Sequence, residues 1–164
     1  TFLMDTSFFV NFISEIAYLL IVLGVIFSIS IFKGRQAVIN IIFGLYLALL
    51  ISVEFPFYEQ VLGSLSGAVS ISMAKLIVFL AFTILATTLC FRIMPDEFRE
   101  MKLESFSKKF TLSLCATILV MVFSFHVLPV TEFLTPGTPI QSLFAPADYF
   151  FWWLILPLVA LFIL

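Results

Sequence analysis

Residues 16–53 read IAYLLIVLGVIFSISIFKGRQAVINIIFGLYLALLISV, and the reading of this stretch decides the fold. Ile16 to Phe32 and Ala37 to Val53 are uncharged, seventeen residues each. At about 1.5 Å of helical rise per residue, each run reaches about 25 Å, close to the ~30 Å hydrocarbon core of a bilayer. Only Lys33, Gly34, Arg35 and Gln36 separate them. Glycine permits a tight reversal, and the two cations favour the headgroup region over lipid. The stretch is therefore predicted to be a membrane hairpin with almost no loop.

The same pattern extends in both directions. The first span is placed at about residues 12–32; a start nearer Phe8 would bring Glu15 inside its outer end, where a carboxylate is costly unless partnered or near water. The segment has neither a basic leader nor a small-residue cleavage site, which argues against a removable signal peptide. Opening at Thr1 and stopping inside an apolar run at Leu164, the sequence is expected to belong to a longer protein. The second span, 37–53, ends at Glu54-Phe55-Pro56-Phe57-Tyr58-Glu59, which combines a helix-disfavouring proline with interfacial aromatics and acids. The small and polar segment QVLGSLSGAVSISMA (60–74) predicts a loop or interfacial turn, with a third span over 71–91 and Lys75 snorkelling outward.

The segment 92–109, RIMPDEFREMKLESFSKK, is the one strongly charged stretch. Pro95 followed by Asp96 and Glu97 has the order of a helix start, and Phe98, Met101, Leu103 and Phe106 would give that helix an apolar side. A short cytoplasmic surface helix is expected there. A fourth span follows at 110–128, then a Pro-rich outer loop at 129–148 whose prolines break regular helix, then a fifth span at 149–164.

Composition agrees. Of 164 residues, 63% are apolar and 11% charged, with mean hydropathy +1.24, whereas soluble domains are roughly 45–50% apolar and about 25% charged. A water-soluble globule is excluded. The expectation is a single all-α domain, a polytopic transmembrane helical bundle of about five spans. Seven of the eight Lys and Arg (Lys33, Arg35, Arg92, Arg99, Lys102, Lys108, Lys109) fall on one side of that layout, and Lys75 alone on the other. The positive-inside rule then puts the N-terminus outside and the chain's end in the cytoplasm, as in a bacterial inner-membrane protein. Tyr149, Phe150, Phe151, Trp152 and Trp153 fall at the outer interface, where amphipathic rings are favoured.

Four constellations carry a functional reading beside a plainer one. Asn40, Gly44, Ala48 and Ser52 recur every four residues on the second span, a stripe on which another helix can approach closely; it serves either packing within the chain or a subunit interface. Gly24 and Ser28 form a shorter pair on the first span. Glu15, Glu54 and Lys75 make a candidate outer polar group for an ion or proton route, or all three snorkel to headgroups and water. His126 offers a titratable or ligating nitrogen, but lacks a cysteine or carboxylate at ligand spacing and reads better as an interfacial histidine with a partner. The charged segment after Arg92 is either a docking surface for a partner or anionic lipid, or a solvated helix self-paired through Glu104 and Lys108.

Cys90 and Cys115 form no CxxC pair, and HExxH, GxGxxG, Walker A and GxSxG patterns are absent, so no catalytic, cofactor-binding or metal residue is expected. Neither is a nucleic-acid partner, since there is no basic patch. An early acid (Asp5), a first span, the basic reversal Lys33-Gly34-Arg35, a second span, an outer loop, and a third span followed by a charged stretch and a fourth span make the layout of Asp5 to Leu128 resemble the CvpA family. These are bacterial inner-membrane proteins named for colicin V production. The chain departs from the family pattern in carrying Ser28 and Ser30 where glycines precede the turn, no acid between Gln36 and Leu50, and a fifth span. The resemblance implies a role in export or envelope homeostasis and supplies no catalytic residue. The sequence thus points to a non-enzymatic membrane subunit or envelope-associated scaffold that meets lipid and other subunits or itself. A small oligomeric transporter or channel is the alternative.

Overall fold

The computed structural model describes residues 2–63, 67–94, 106–126, 139–144 and 146–163. Among the described residues every regular element is a helix: α1 (Phe2–Lys33), α2 (Arg35–Val53), α3 (Tyr58–Leu62), α4 (Ala68–Ile93), α5 (Phe106–His126), α6 (Pro139–Phe144) and α7 (Ala147–Ile163). Four contain stretches long and apolar enough to cross a membrane (Phe12–Lys33, Arg35–Val53, Ser70–Ile93 and Phe106–His126), and α7 is a shorter apolar helix of 17 residues. The chain is an all-α bundle of about five spans.

The hairpin between α1 and α2 turns on one residue. Gly34 has φ 87°, a left-handed conformation that a side chain strains, and its amide still donates to the Ser30 carbonyl at 3.1 Å. Gly67, φ 116°, does the corresponding work before α4. Because α1 has 32 residues and α2 has 19, α1 continues about 20 Å past the end of α2.

α5 is the centre of the bundle, packing against α1, α2, α6 and α7. Buried residues make up 61% of its spanning stretch, against 11% for α1 and 17% for α4, so α5 is solvated by protein while α1 and α4 face lipid. Leu112, Ala116, Leu119, Val122 and Phe123 of α5 meet Ile42, Leu45 and Ala48 of α2, with Ile26 of α1 and Phe79 of α4 completing the core. The Tyr46 and Phe79 rings stand edge-on to Phe123, with centroids 6.4 and 6.0 Å away. The polar residues of α5 are accommodated because Ser113, Thr117 and Ser124 each donate to the carbonyl four residues earlier, at 2.8 Å.

α1 runs opposite to α2 and to α5, and α2 runs opposite to α4, whereas α2 and α5 pack side by side in the same direction. Gly44 of α2 meets Thr87 of α4, Phe55 just after α2 meets Phe82, and Lys33 reaches the Phe91 ring at 5.8 Å. Tyr18 and Phe27 of α1 meet Ser124 and Phe110 of α5. One end of the bundle therefore carries Lys33, Arg35, Arg92, Lys108 and Lys109, and the other carries Glu54, Glu59 and Asp148.

Element boundaries differ from the sequence reading at several points. α1 begins at Phe2 rather than near residue 12, because neither glycine nor proline stands among residues 2–12, and the short helix α3 occupies Tyr58–Leu62, where the sequence predicts the second span giving way to a turn. α4 begins at Ala68 rather than near 71, because Gly67 already supplies the turn. The charged connection 92–109 is shorter than expected: Arg92 ends α4, and Lys108 and Lys109 lie in the first turn of α5, which begins at Phe106 rather than Phe110. The proposed surface helix falls largely on 95–105, outside the described residues. The Pro-rich loop, expected to be irregular, contains α6, with Pro139 at its first position, where the missing amide costs nothing.

Candidate functional site

The stripe on α2 is buried along its length. Asn40 and Ala48 are fully enclosed, Ser52 nearly so, and Gly44 is in direct contact with α4. A Cβ on Gly44 would come within 2.8 Å of the Thr87 Cα, so the two backbones approach as closely as glycine allows. Ser52 is bonded to the Tyr58 hydroxyl at 2.6 Å, which ties α3 to the end of α2. Asn40 Oδ1 accepts from Gln36 Nε2 at 3.3 Å, whereas its Nδ2 and the Ser30 hydroxyl are buried without a hydrogen-bond partner. The stripe is thus occupied by a helix of its own chain. Gly24, by contrast, points into open space on α1.

The outer polar group does not assemble as the sequence suggested. Glu15 is 2% exposed, so it does not snorkel to water; Glu54 stays exposed at the C-terminal end of α2, and Lys75 is half-buried on α4. No ion pair joins Lys75 to Glu54 among the described residues. The cause is the packing of α1: Tyr18, three residues after Glu15 and on the same side of the helix, is bonded to Ser124 of α5 at 3.1 Å. Ser124 already donates to the Val120 carbonyl, so Tyr18 is the donor. Glu15 is carried into that seam by the face α1 presents to α5.

His126 ends α5 as a clasp. Its Nε2 lies 2.9 Å from the Phe144 carbonyl, which can only accept, so Nε2 carries the proton. The ring packs on Phe150 of α7 at 4.4 Å. Trp153 donates its indole N–H to the Leu143 carbonyl at 3.1 Å, and its ring lies 4.9 Å from that of Phe144. Two side chains from two spans hold α6 by consecutive carbonyls. Among the described residues no three His, Cys, Asp or Glu side chains gather as a metal site.

Two features escaped the sequence reading. Pro157 lies inside α7 and deprives the Trp153 carbonyl of its helical donor; the Tyr46 hydroxyl of α2 donates to the adjacent Leu154 carbonyl. The proline was a visible signal, but its polar helper on another helix was not. The second is a pocket of about 310 Å³ between α6 and α7, lined by Leu143, Tyr149, Trp152, Trp153 and Leu156. Its aromatic residues read in the sequence as an interfacial belt.

Comparison with protein families, curated proteins and solved structures gave no match to this chain.

Proposed function

We propose that this chain is a non-enzymatic subunit or scaffold of the bacterial inner membrane, CvpA-like in layout and linked to export or envelope homeostasis. Its N-terminus lies outside and the end of the sequence given lies in the cytoplasm. The observation that carries this reading is the enclosure of α5: Leu119, Met121, Val122 and Phe123 fill the middle of the bundle, and its buried hydroxyls are spent on its own carbonyls. A filled axis suits a body that supports an assembly. The cation-rich end supports the orientation through the positive-inside rule. With the α2 stripe occupied by α4, the surfaces left for partners are the outward faces of α1 and α4, including Ile21 and Val25 on the first and Ile77 and Ile84 on the second. Purification in mild detergent at native expression should recover the chain with other membrane proteins; a chain that emerges alone and monodisperse contradicts the proposal.

The burial of Glu15 favours one second reading, a small oligomeric transporter in which that carboxylate binds the coupling proton or cation. Ionisable groups held inside a membrane bundle mark such routes. Proteoliposomes would then show a flux that Glu15→Gln abolishes. Flux unchanged in the variant removes Glu15 from the path.

A further inference from the structure

The pocket between α6 and α7 has a composition that selects a particular ligand chemistry. Three of its five lining residues are Tyr149, Trp152 and Trp153, and Leu143 and Leu156 complete an almost wholly apolar wall. The wall is built before any ligand arrives: the Trp153 indole is fixed by its bond to the Leu143 carbonyl and backed by the Phe144 ring, and Phe144 is itself buried and held by His126. Tyr149 and Trp152 stand more than half exposed at the opening. Such rings carry negative π faces.

We propose that this pocket binds a quaternary ammonium group, such as the trimethylammonium of choline compounds. Aromatic rings attract a cation placed over their faces, and the attraction grows once water is removed. A primary ammonium would lose its water there and find no acceptors to replace it, because the lining offers almost no polar atoms. A quaternary ammonium has no N–H to satisfy and enters at little desolvation cost. Charge favours the same class. Among the described residues this end carries Glu54, Glu59 and exposed Asp148, the last directly before Tyr149, against one lysine, Lys75, so cations are concentrated at the opening. The assignment is independent of whether the chain acts as a subunit or a transporter.

The chain supplies its own reporter, since its two tryptophans both line the pocket. The purified protein in neutral detergent is titrated with tetramethylammonium or choline, with sodium chloride at matched ionic strength as control, and tryptophan emission is followed. A saturable change with both organic cations and none with sodium is expected. The uncharged isostere 3,3-dimethylbutan-1-ol should bind about tenfold more weakly or less. Trp152→Leu, read through Trp153, and Tyr149→Leu, read through both indoles, should each weaken the cation by about tenfold. Equal binding of the isostere would reduce the pocket to a plain apolar cleft and overturn the proposal. So would the absence of a saturable response, or unaltered affinity in the folded variants. Repeating the titration in phosphatidylglycerol bilayers with and without phosphatidylcholine separates the sources: the lipid suppresses the response if its head group is the ligand, and leaves it unchanged if the ligand is a free cation.

Discussion

At Gly44 the whole α2–α4 contact depends on the absence of one carbon. A methyl there would face the Thr87 Cα at 2.8 Å, and backbone cannot step aside as a side chain does. Gly44→Leu is expected to destabilise the bundle by about 1–3 kcal/mol, read as a lower unfolding temperature in detergent. Gly24→Ala, whose Cβ meets nothing within 4 Å, should change it by less than about 0.5 kcal/mol. Equal effects at the two glycines would contradict the packing described. Tyr46→Phe, which removes the donor to the Leu154 carbonyl beside Pro157, should cost about 1 kcal/mol by the same measurement. At this scale the sequence was half readable. The four-residue period of Asn40, Gly44, Ala48 and Ser52 announced a face for close approach, but period alone does not name the helix that fills it. Glu15 was misread for a related reason: its depth along α1 was legible, whereas the side of α1 that meets α5 was not.

Among the elements, α5 and α6 show how position governs order. α5 is held from four directions, while α6 is six residues long, lies against α1, α5 and α7 with Phe144 in the core, and is tied by the His126 and Trp153 bonds to consecutive carbonyls. His126→Ala combined with Trp153→Phe should therefore raise amide exchange in 139–144 by an order of magnitude or more, about 10-fold per 1.4 kcal/mol lost, and leave the α2 and α4 amides protected. A uniform rise across all helices would show instead that the clasp supports the entire bundle. Helix existence was legible from the apolar runs, because only a helix satisfies its own backbone in lipid. Helix ends were less so. α4 and α5 each continue into residues that look like loop, since serine and lysine at a membrane surface stay helical when glycine or proline does not intervene. Pro139, read as a breaker, starts a helix because a proline at the first position loses no hydrogen bond.

At the scale of the molecule, two separations among the described residues define the account: apolar residues outward on α1 and α4, and opposite charge at opposite ends. That lipid surrounds the apolar spans was plain in the composition, and the charge separation in the order of Lys and Arg along the chain, because both follow from length and charge; which helices turn outward was not. What the order could not show was which helix occupies the middle. α5 is the least hydropathic of the four long spans, at 1.6 against 2.1 to 2.4, and it takes the place where protein rather than lipid surrounds it.

The central claim is that these helices cross a bilayer with Lys33 and Lys108 on one face and Asp148 on the other. Its most direct test is sided thiol labelling in sealed vesicles of single-cysteine variants at these three positions, made after Cys90→Ala and Cys115→Ala remove the two buried native thiols. The account predicts that positions 33 and 108 are labelled together from one side and position 148 only from the other. Labelling of 33 and 108 from opposite sides, or of all three from the same side, would contradict it.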